Sequence, residues 1–203
     1  TLTYGLSADA QVRGADAKAS PGGIVYRCPT DAGEREIRLA VGGFFNVYNS
    51  LGAIAACLAL GLSLDAIADA LNGFTGVPGR FEAVPSAQEF TVIVDYAHTP
   101  DGIANVLQSA RALQPRRLVV VFGCGGDRDK GKRPKMGALA AELADRVFVT
   151  SDNPRSEDPG AIIADILAGI PAEARAKVST EPDRRAAIEA AIRDAAKDDL
   201  IVI

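Results

Sequence analysis

From residue 81 onward, short and almost unbroken apolar runs alternate with segments in which apolar residues return every three or four positions. TVIVDYA (91–97), RRLVVVFG (116–123), DRVFVTS (145–151) and DDLIVI (198–203) are the apolar runs and read as strands. DGIANVLQSARAL (101–113), KMGALAAELA (135–144), AIIADILAGI (161–170) and RAAIEAAIRDA (185–195) carry the helical period. Strands apolar on both faces, each followed by a helix, predict a mostly parallel, Rossmann-like sheet with helices on both faces.

The first part of the chain follows another rhythm. IVYRC (24–28) and REIRLAV (35–41), set among Gly, Pro and Asp turns, predict a few strands over residues 1–43, mostly antiparallel or at an edge. Val47, Leu51, Ile54, Ala55, Leu58 and Leu62 then recur at helical spacing, and a second amphipathic segment, LDAIADALNGF, opens after Ser63. The turn-rich GFTGVPGRFE breaks the pattern and places a boundary near Arg80, dividing the chain into 1–80 and 81–203.

Three of the later helices carry proline near their starts, and the sequence predicts Pro100, Pro134 and Pro159 at the first helical position, where a missing N–H costs nothing. Thr99 and Asp158 stand where N-caps belong. The loops before these helices leave the carboxyl ends of the strands, where open α/β sheets bind ligands. Polar residues gather in those loops: Asp95, Tyr96 and His98; Asp127 to Lys130; Asp152, Asn153 and Arg155.

Composition narrows the ligand. A formal charge of -4, no basic run and sparse aromatics give no nucleic-acid surface. Cys28, Cys57 and Cys124 are odd in number and widely spaced, which fits neither a disulfide framework nor a zinc site and points to a reducing cytoplasm. The longest apolar stretch, LGAIAACLALGL, is too short for a membrane span. A small molecule is the expected partner, and the chain is expected to act as a monomer.

Residues 126–133, GDRDKGKR, imitate a phosphate-binding loop through Gly126, Gly131 and Lys132, with Arg133 where the metal-holding hydroxyl should stand. Asp127 and Asp129 would repel a triphosphate, whereas alternating Asp, Arg, Asp and Lys suit a ligand bearing both signs of charge. In TSDNPRSEDP, Asn153 can donate and accept while Arg155 offers a planar fork for a carboxylate. The same residues also fit a plain turn in which Arg155 pairs with Glu157 or Asp158. Asp95 suits either a ribose diol or a helix-approach cap, and His98, the only histidine, a loop residue bonded to backbone. Asn46 and Asn49, three apart at a helix start, either cap that helix or read a base edge, and Arg80 is either a surface residue or a phosphate contact.

Taken together, GGFFNVYNSLGAIAAC, GVPGRFE, VIVDYAHTPDGI, VVVFGCGGDRDKGKRPKMG and VTSDNPRSEDPGAIIADILAG resemble the Mur ligase family in order and spacing over essentially the whole chain. The resemblance implies that residues 1–80 end a central α/β ATPase domain and that 81–203 form most of an amino-acid-binding domain. It implies ATP and Mg2+ as cofactors, with Asn46, Asn49, Arg80 and Asp95 contacting ATP, beside Tyr96 and His98. Arg128, Asn153 and Arg155, with adjacent Asp152, match positions that bind the incoming amino acid. The DNPR form of that motif implies meso-diaminopimelate, added to UDP-N-acetylmuramoyl-L-alanyl-D-glutamate through an acyl phosphate.

The chain also departs from the family. Nothing in it matches the family's P-loop, its magnesium-binding Glu and His or its carbamylated lysine, so no catalytic or metal-binding residue is assigned. The Gly-Lys-Gly-His-Glu tract expected after DDLIVI is missing too. The chain is therefore expected to be a piece of a ligase, inactive by itself. Other readings are a lysine-adding or folylpolyglutamate synthetase-like ligase and a non-catalytic amino-acid or nucleotide-binding domain.

Overall fold

The structure is a computed structural model covering residues 1–203. It divides into two compact units, Thr1–Ala83 and Val84–Ile203.

In the first unit, β1 (Tyr4–Gly5) and β2 (Val12–Arg13) form a small parallel pair. β3 (Ala15–Ser20), β4 (Gly23–Thr30) and β5 (Gly33–Leu39) make an antiparallel meander. The expected antiparallel character therefore holds for the meander but not for β1 and β2. Alternation along β4 buries Ile24, Tyr26 and Cys28 on one face. Two helices supply the rest of that core: α1 (Phe45–Ala59) through Val47, Leu51 and Ile54, and α2 (Leu64–Asn72) through Leu64 and Ile67. The buried Tyr26 hydroxyl lies 2.7 Å from Ser50 Oγ, which satisfies the polar atom of the largest ring in this core. Ser63 caps α2 by accepting from the Ala66 N–H.

The second unit is built on five strands of a six-stranded sheet, whose sixth is the short Glu82–Ala83 strand at the unit boundary. The sheet's strands are β6 (Glu82–Ala83), β7 (Thr91–Val94), β8 (Leu118–Phe122), β9 (Arg146–Val149), β10 (Val178–Thr180) and β11 (Leu200–Val202), in the spatial order β10-β9-β8-β11-β7-β6. The pairs β10·β9, β9·β8, β8·β11 and β11·β7 are all parallel. All five residues of β8 are buried, as a central strand covered on both sides requires.

Four helices cover the sheet: α3 (Pro100–Arg111), α4 (Lys132–Leu143), α5 (Pro159–Ala168) and α6 (Arg184–Asp194). Ala187 and Ala191 of α6 pack on Val119, Val121, Phe148 and Ile201 on one face. On the other, α3, α4 and α5 lie in a row. A Cβ at Gly137 of α4 would meet the Ile166 carbonyl at 2.2 Å, so that crossing of α4 and α5 depends on the missing side chain. At the amino ends of the strands, Arg116 and Arg117 both reach the buried Asp199 carboxylate, at 3.0 and 2.7 Å.

Two of the three helix starts hold proline at the first position with the expected caps. Thr99 Oγ accepts from the Gly102 N–H at 3.1 Å and Asp158 Oδ2 from the Ala161 N–H at 2.9 Å. The third differs: α4 begins at Lys132, so Pro134 is its third residue. Proline is tolerated there because the first four N–H groups of a helix have no partner within it.

Candidate functional site

A cavity of about 680 Å³ opens at the carboxyl ends of β7, β8 and β9, in the second unit. Asp95, Tyr96, His98, Arg128, Asp152, Asn153 and Arg155 all line it. Asp129 lines it as well, while Asp127 and Lys130 of the same loop do not.

The loop after β7 is held by local bonds. Asp95 Oδ1 accepts from the Ala97 N–H at 2.8 Å, and His98 Nδ1 lies 3.0 Å from the Tyr96 carbonyl oxygen. Tyr96 and His98 meet edge to face with ring centroids 5.0 Å apart. His98 is thus a loop residue bonded to backbone, as one reading of the sequence had it, while Asp95 closes a turn onto Ala97 and the cap of α3 is Thr99.

The loops after β8 and β9 are stitched to each other instead. The Gly126 N–H donates to the Asn153 carbonyl at 3.0 Å, and Arg155 Nη1 donates to the Gly126 carbonyl at 2.7 Å. Ser156 donates to the Asp127 carboxylate through both its N–H and its Oγ, at 3.2 and 2.8 Å. Beneath both loops lies Arg133, fully buried. Its guanidinium donates to Glu157 at 2.8 and 3.0 Å and to Asp165 at 2.9 Å. Glu157 also accepts from the Asp127 N–H at 2.6 Å and pairs with Lys130 at 3.1 Å. The Arg133 guanidinium, with help from the Asp127 N–H, holds the Glu157 carboxyl down at about 2.

This clamp corrects two expectations. Of the two carboxylates only Asp129 lines the cavity, and Asp127 does not. Asp127 is engaged by Ser156, which lowers its pKa, and Asp129 accepts from the Gly131 N–H at 2.8 Å. Nor does Arg155 pair with Glu157 or Asp158, because Arg133 holds the first and the start of α5 holds the second. Arg155 is left to the cavity wall.

The same loops store backbone strain. Asp127, Asn153 and Arg155 have φ of 52°, 47° and 53°, a left-handed conformation that is uncommon for residues other than glycine. Such outliers cluster where the surrounding structure over-determines a geometry that function uses. Here the interlocked hydrogen bonds supply that constraint.

Sequence reasoning missed Lys132, whose Nζ donates to the His98 carbonyl at 2.7 Å, tying the β7 loop to the start of α4. Its place in the false phosphate loop drew attention to phosphate rather than to a backbone tie. Arg184 also lines the cavity without belonging to any motif singled out above. The remaining candidates lie in the first unit. Asn46 Nδ2 donates to the Gly42 carbonyl at 2.7 Å and Asn49 Nδ2 to Asn46 Oδ1 at 2.9 Å, so the two amides bond each other while α1 has no side-chain cap. Arg80 lies in the turn-rich stretch closing that unit. No group of three or more His, Cys, Asp or Glu is placed to hold a metal, and no helix is long and apolar enough to cross a membrane.

A mostly parallel α/β sheet with its polar loops gathered over the strands' carboxyl ends defines a ligand-binding Rossmann-like domain. Residues 79–203 match the family described as Mur ligase, glutamate ligase domain, and the chain belongs to that family. It is 51% identical to the UDP-N-acetylmuramoyl-L-alanyl-D-glutamate--2,6-diaminopimelate ligase of Thermosynechococcus vestitus, over 99% of this chain and 40% of that protein. A solved structure of a ligase of the same description matches with a TM-score of 0.67 and 38% identity, over 100% of this chain and 41% of the other. Folylpolyglutamate synthase of Mycobacterium tuberculosis, solved with ADP, matches with a TM-score of 0.74 and 27% identity, over 96% of this chain and 45% of its own. The chain spans about two fifths of the length of the curated relatives it matches.

Proposed function

We propose that this chain is part of an ATP-dependent ligase that adds meso-diaminopimelate to UDP-N-acetylmuramoyl-L-alanyl-D-glutamate in peptidoglycan precursor synthesis, acting as a cytoplasmic monomer. In this reading residues 81–203 bind the amino acid, and residues 1–80 close an ATP-binding domain. The observation that carries it is the convergence of Arg128, Asp152, Asn153 and Arg155 on one cavity wall, with the Asp95–His98 loop on the same cavity.

The chemistry of those groups suits the ligand. Diaminopimelate ends in a second amino-acid head, so it brings a carboxylate and an ammonium where lysine brings an ammonium alone. Arg155 is aimed by its bond to the Gly126 carbonyl and keeps further donors of its five-donor fork for a carboxylate. Asp152 offers an ammonium partner and Asn153 both a donor and an acceptor. Lysine would place a cation against Arg155 and leave its donors unpaired, a strong basis for discrimination.

ATP suits the other side of the cavity, with Asp95 as a ribose acceptor and the Tyr96–His98 aromatic pair as a surface for the base; Asn46, Asn49 and Arg80 of the first unit match the family's other ATP-contacting positions. ATP supplies the phosphoryl group that activates the acceptor carboxylate, and these residues hold and orient it. The side chains present form no cluster of three or more His, Cys, Asp or Glu that fits Mg2+.

The test is ligand-observed NMR of this chain with meso-diaminopimelate and, separately, L-lysine or L-glutamate. Diaminopimelate should bind at least about tenfold more tightly than either, a difference of about 1.4 kcal/mol. Arg155→Ala should erase the preference. Equal binding of all three ligands would refute the assignment.

A further inference from the structure

We propose that Arg184 is a further carboxylate-binding residue of the cavity, holding the amino-acid substrate together with Asp152. The inference rests on the amino-acid-binding role proposed above and extends it to a residue outside every motif that suggested that role.

Arg184 is the first residue of α6, and backbone bonds fix where that helix starts. The Glu181 N–H donates to the Val149 carbonyl at 3.0 Å and the Ser151 N–H to the Pro182 carbonyl at 3.4 Å, which docks the segment before α6 onto the end of β9. Arg184 is thereby set beside the loop that carries Asp152 and Asn153, and it lines the same cavity.

Its neighbours do not neutralise it. Asp183 caps α6 by accepting from the Ala186 N–H at 3.0 Å, and Arg185 pairs along the helix surface with Glu189 at 3.0 Å. Arg184 Nη1 is shielded from solvent and has no hydrogen-bond partner. Arg133 is the contrast, buried with two carboxylates around it. A guanidinium does not shed its proton in a protein, so a shielded nitrogen of this kind calls for an acceptor, and a carboxylate matches its planar fork best.

The neighbouring charge selects among anions. A phosphate dianion at this wall would be repelled by Asp152, whereas an amino-acid head gives its ammonium to Asp152 and its carboxylate to Arg184. Arg155 and Arg184 can then each take one of the two carboxylates of diaminopimelate.

The test observes Arg184 directly through its side-chain Nε–Hε NMR signal in this chain, assigned by its loss in Arg184→Lys. The probes are meso-diaminopimelate and glutarate, a dicarboxylate with no amine. A shift of that signal by diaminopimelate, with about tenfold weaker binding in an Arg184→Lys protein of unchanged amide spectrum, is the expected result. A shift by glutarate alone would keep Arg184 as a carboxylate site and count against the amino-acid reading. An Arg184 signal unmoved by both ligands would overturn the inference, even if diaminopimelate shifts Arg155. Unchanged affinity in Arg184→Lys would overturn it equally.

Discussion

The two sides of the cavity are built on opposite plans. On one side, the loop after β7 is shaped mainly by bonds that reach two or three residues along the chain, Asp95 to Ala97, His98 to Tyr96 and Thr99 to Gly102, with a single side-chain tie from Lys132. On the other side, at the loops after β8 and β9, Gly126, Asp127 and Arg133 bond to Asn153, Ser156, Glu157 and Asp165 across a strand and a helix. The difference teaches where rigidity is needed. Long-range interlocking pre-shapes the wall that the proposed function assigns to the amino acid, while mostly local turns present a carboxylate and two rings on the other.

Breaking the interlock should cost most. Arg133→Ala removes a fully buried guanidinium from two carboxylates, and we expect a loss of about 3 kcal/mol. That is the lower end for a buried pair, because Asp165 is still half exposed. Urea unfolding followed by circular dichroism measures it, and an unchanged midpoint would show that the clamp contributes nothing.

Gly126→Ala is the next test. Its Cβ would lie 1.8 Å from the Pro154 carbonyl, backbone against backbone, so the two loops must part. Overpacking of this kind costs about 1–3 kcal/mol, and diaminopimelate affinity should fall with it while the β7 loop keeps its amide shifts. A perturbation spread evenly over both sides of the cavity would erase the contrast drawn here.

Thr99→Ala should cost about 1 kcal/mol, the usual value of an N-cap, and should leave the amide shifts of the loops after β8 and β9 unchanged. Acid titration sharpens the contrast with the gentlest change. Arg133 depresses the Glu157 carboxyl from its ordinary 4.5 to about 2, so its stabilisation is fully present above about 4.5 and is lost as pH falls towards 2. The Asp127 and Ser156 amide signals should move in that window, and in Glu157→Gln the Glu157 contribution to that movement should vanish.

The same division explains what could be read from sequence. The strands at 91–94, 118–122 and 146–149, the helices between them, and the Thr99 and Asp158 caps announce themselves through neighbouring residues. β3, written ADAKAS, and β10, only VST, carry no apolar run to signal a strand. The start of α4 was displaced because Lys132 and Arg133 enter the helix before Pro134. The convergence of the site followed from topology, since strand ends in a parallel sheet share one edge. The clamp did not, because nothing near Arg133 in the chain names Glu157 and Asp165 as its partners.

The strand order carries a consequence for how the second unit comes into being. β11, at residues 200–202, lies between β7 and β8, which precede it by most of the unit's length. As the chain leaves the ribosome, the apolar strands Val92–Val94 and Leu118–Phe122 emerge early; β8 can pair with β9 before the unit is finished, but the edges of β7 and β8 that face each other across β11 stay bare until β11 follows. The sheet therefore closes late and through contacts of high sequence separation, a slow route on which bare strand edges persist. Chaperone dependence during synthesis should be set by that interval more than by the final stability of the sheet.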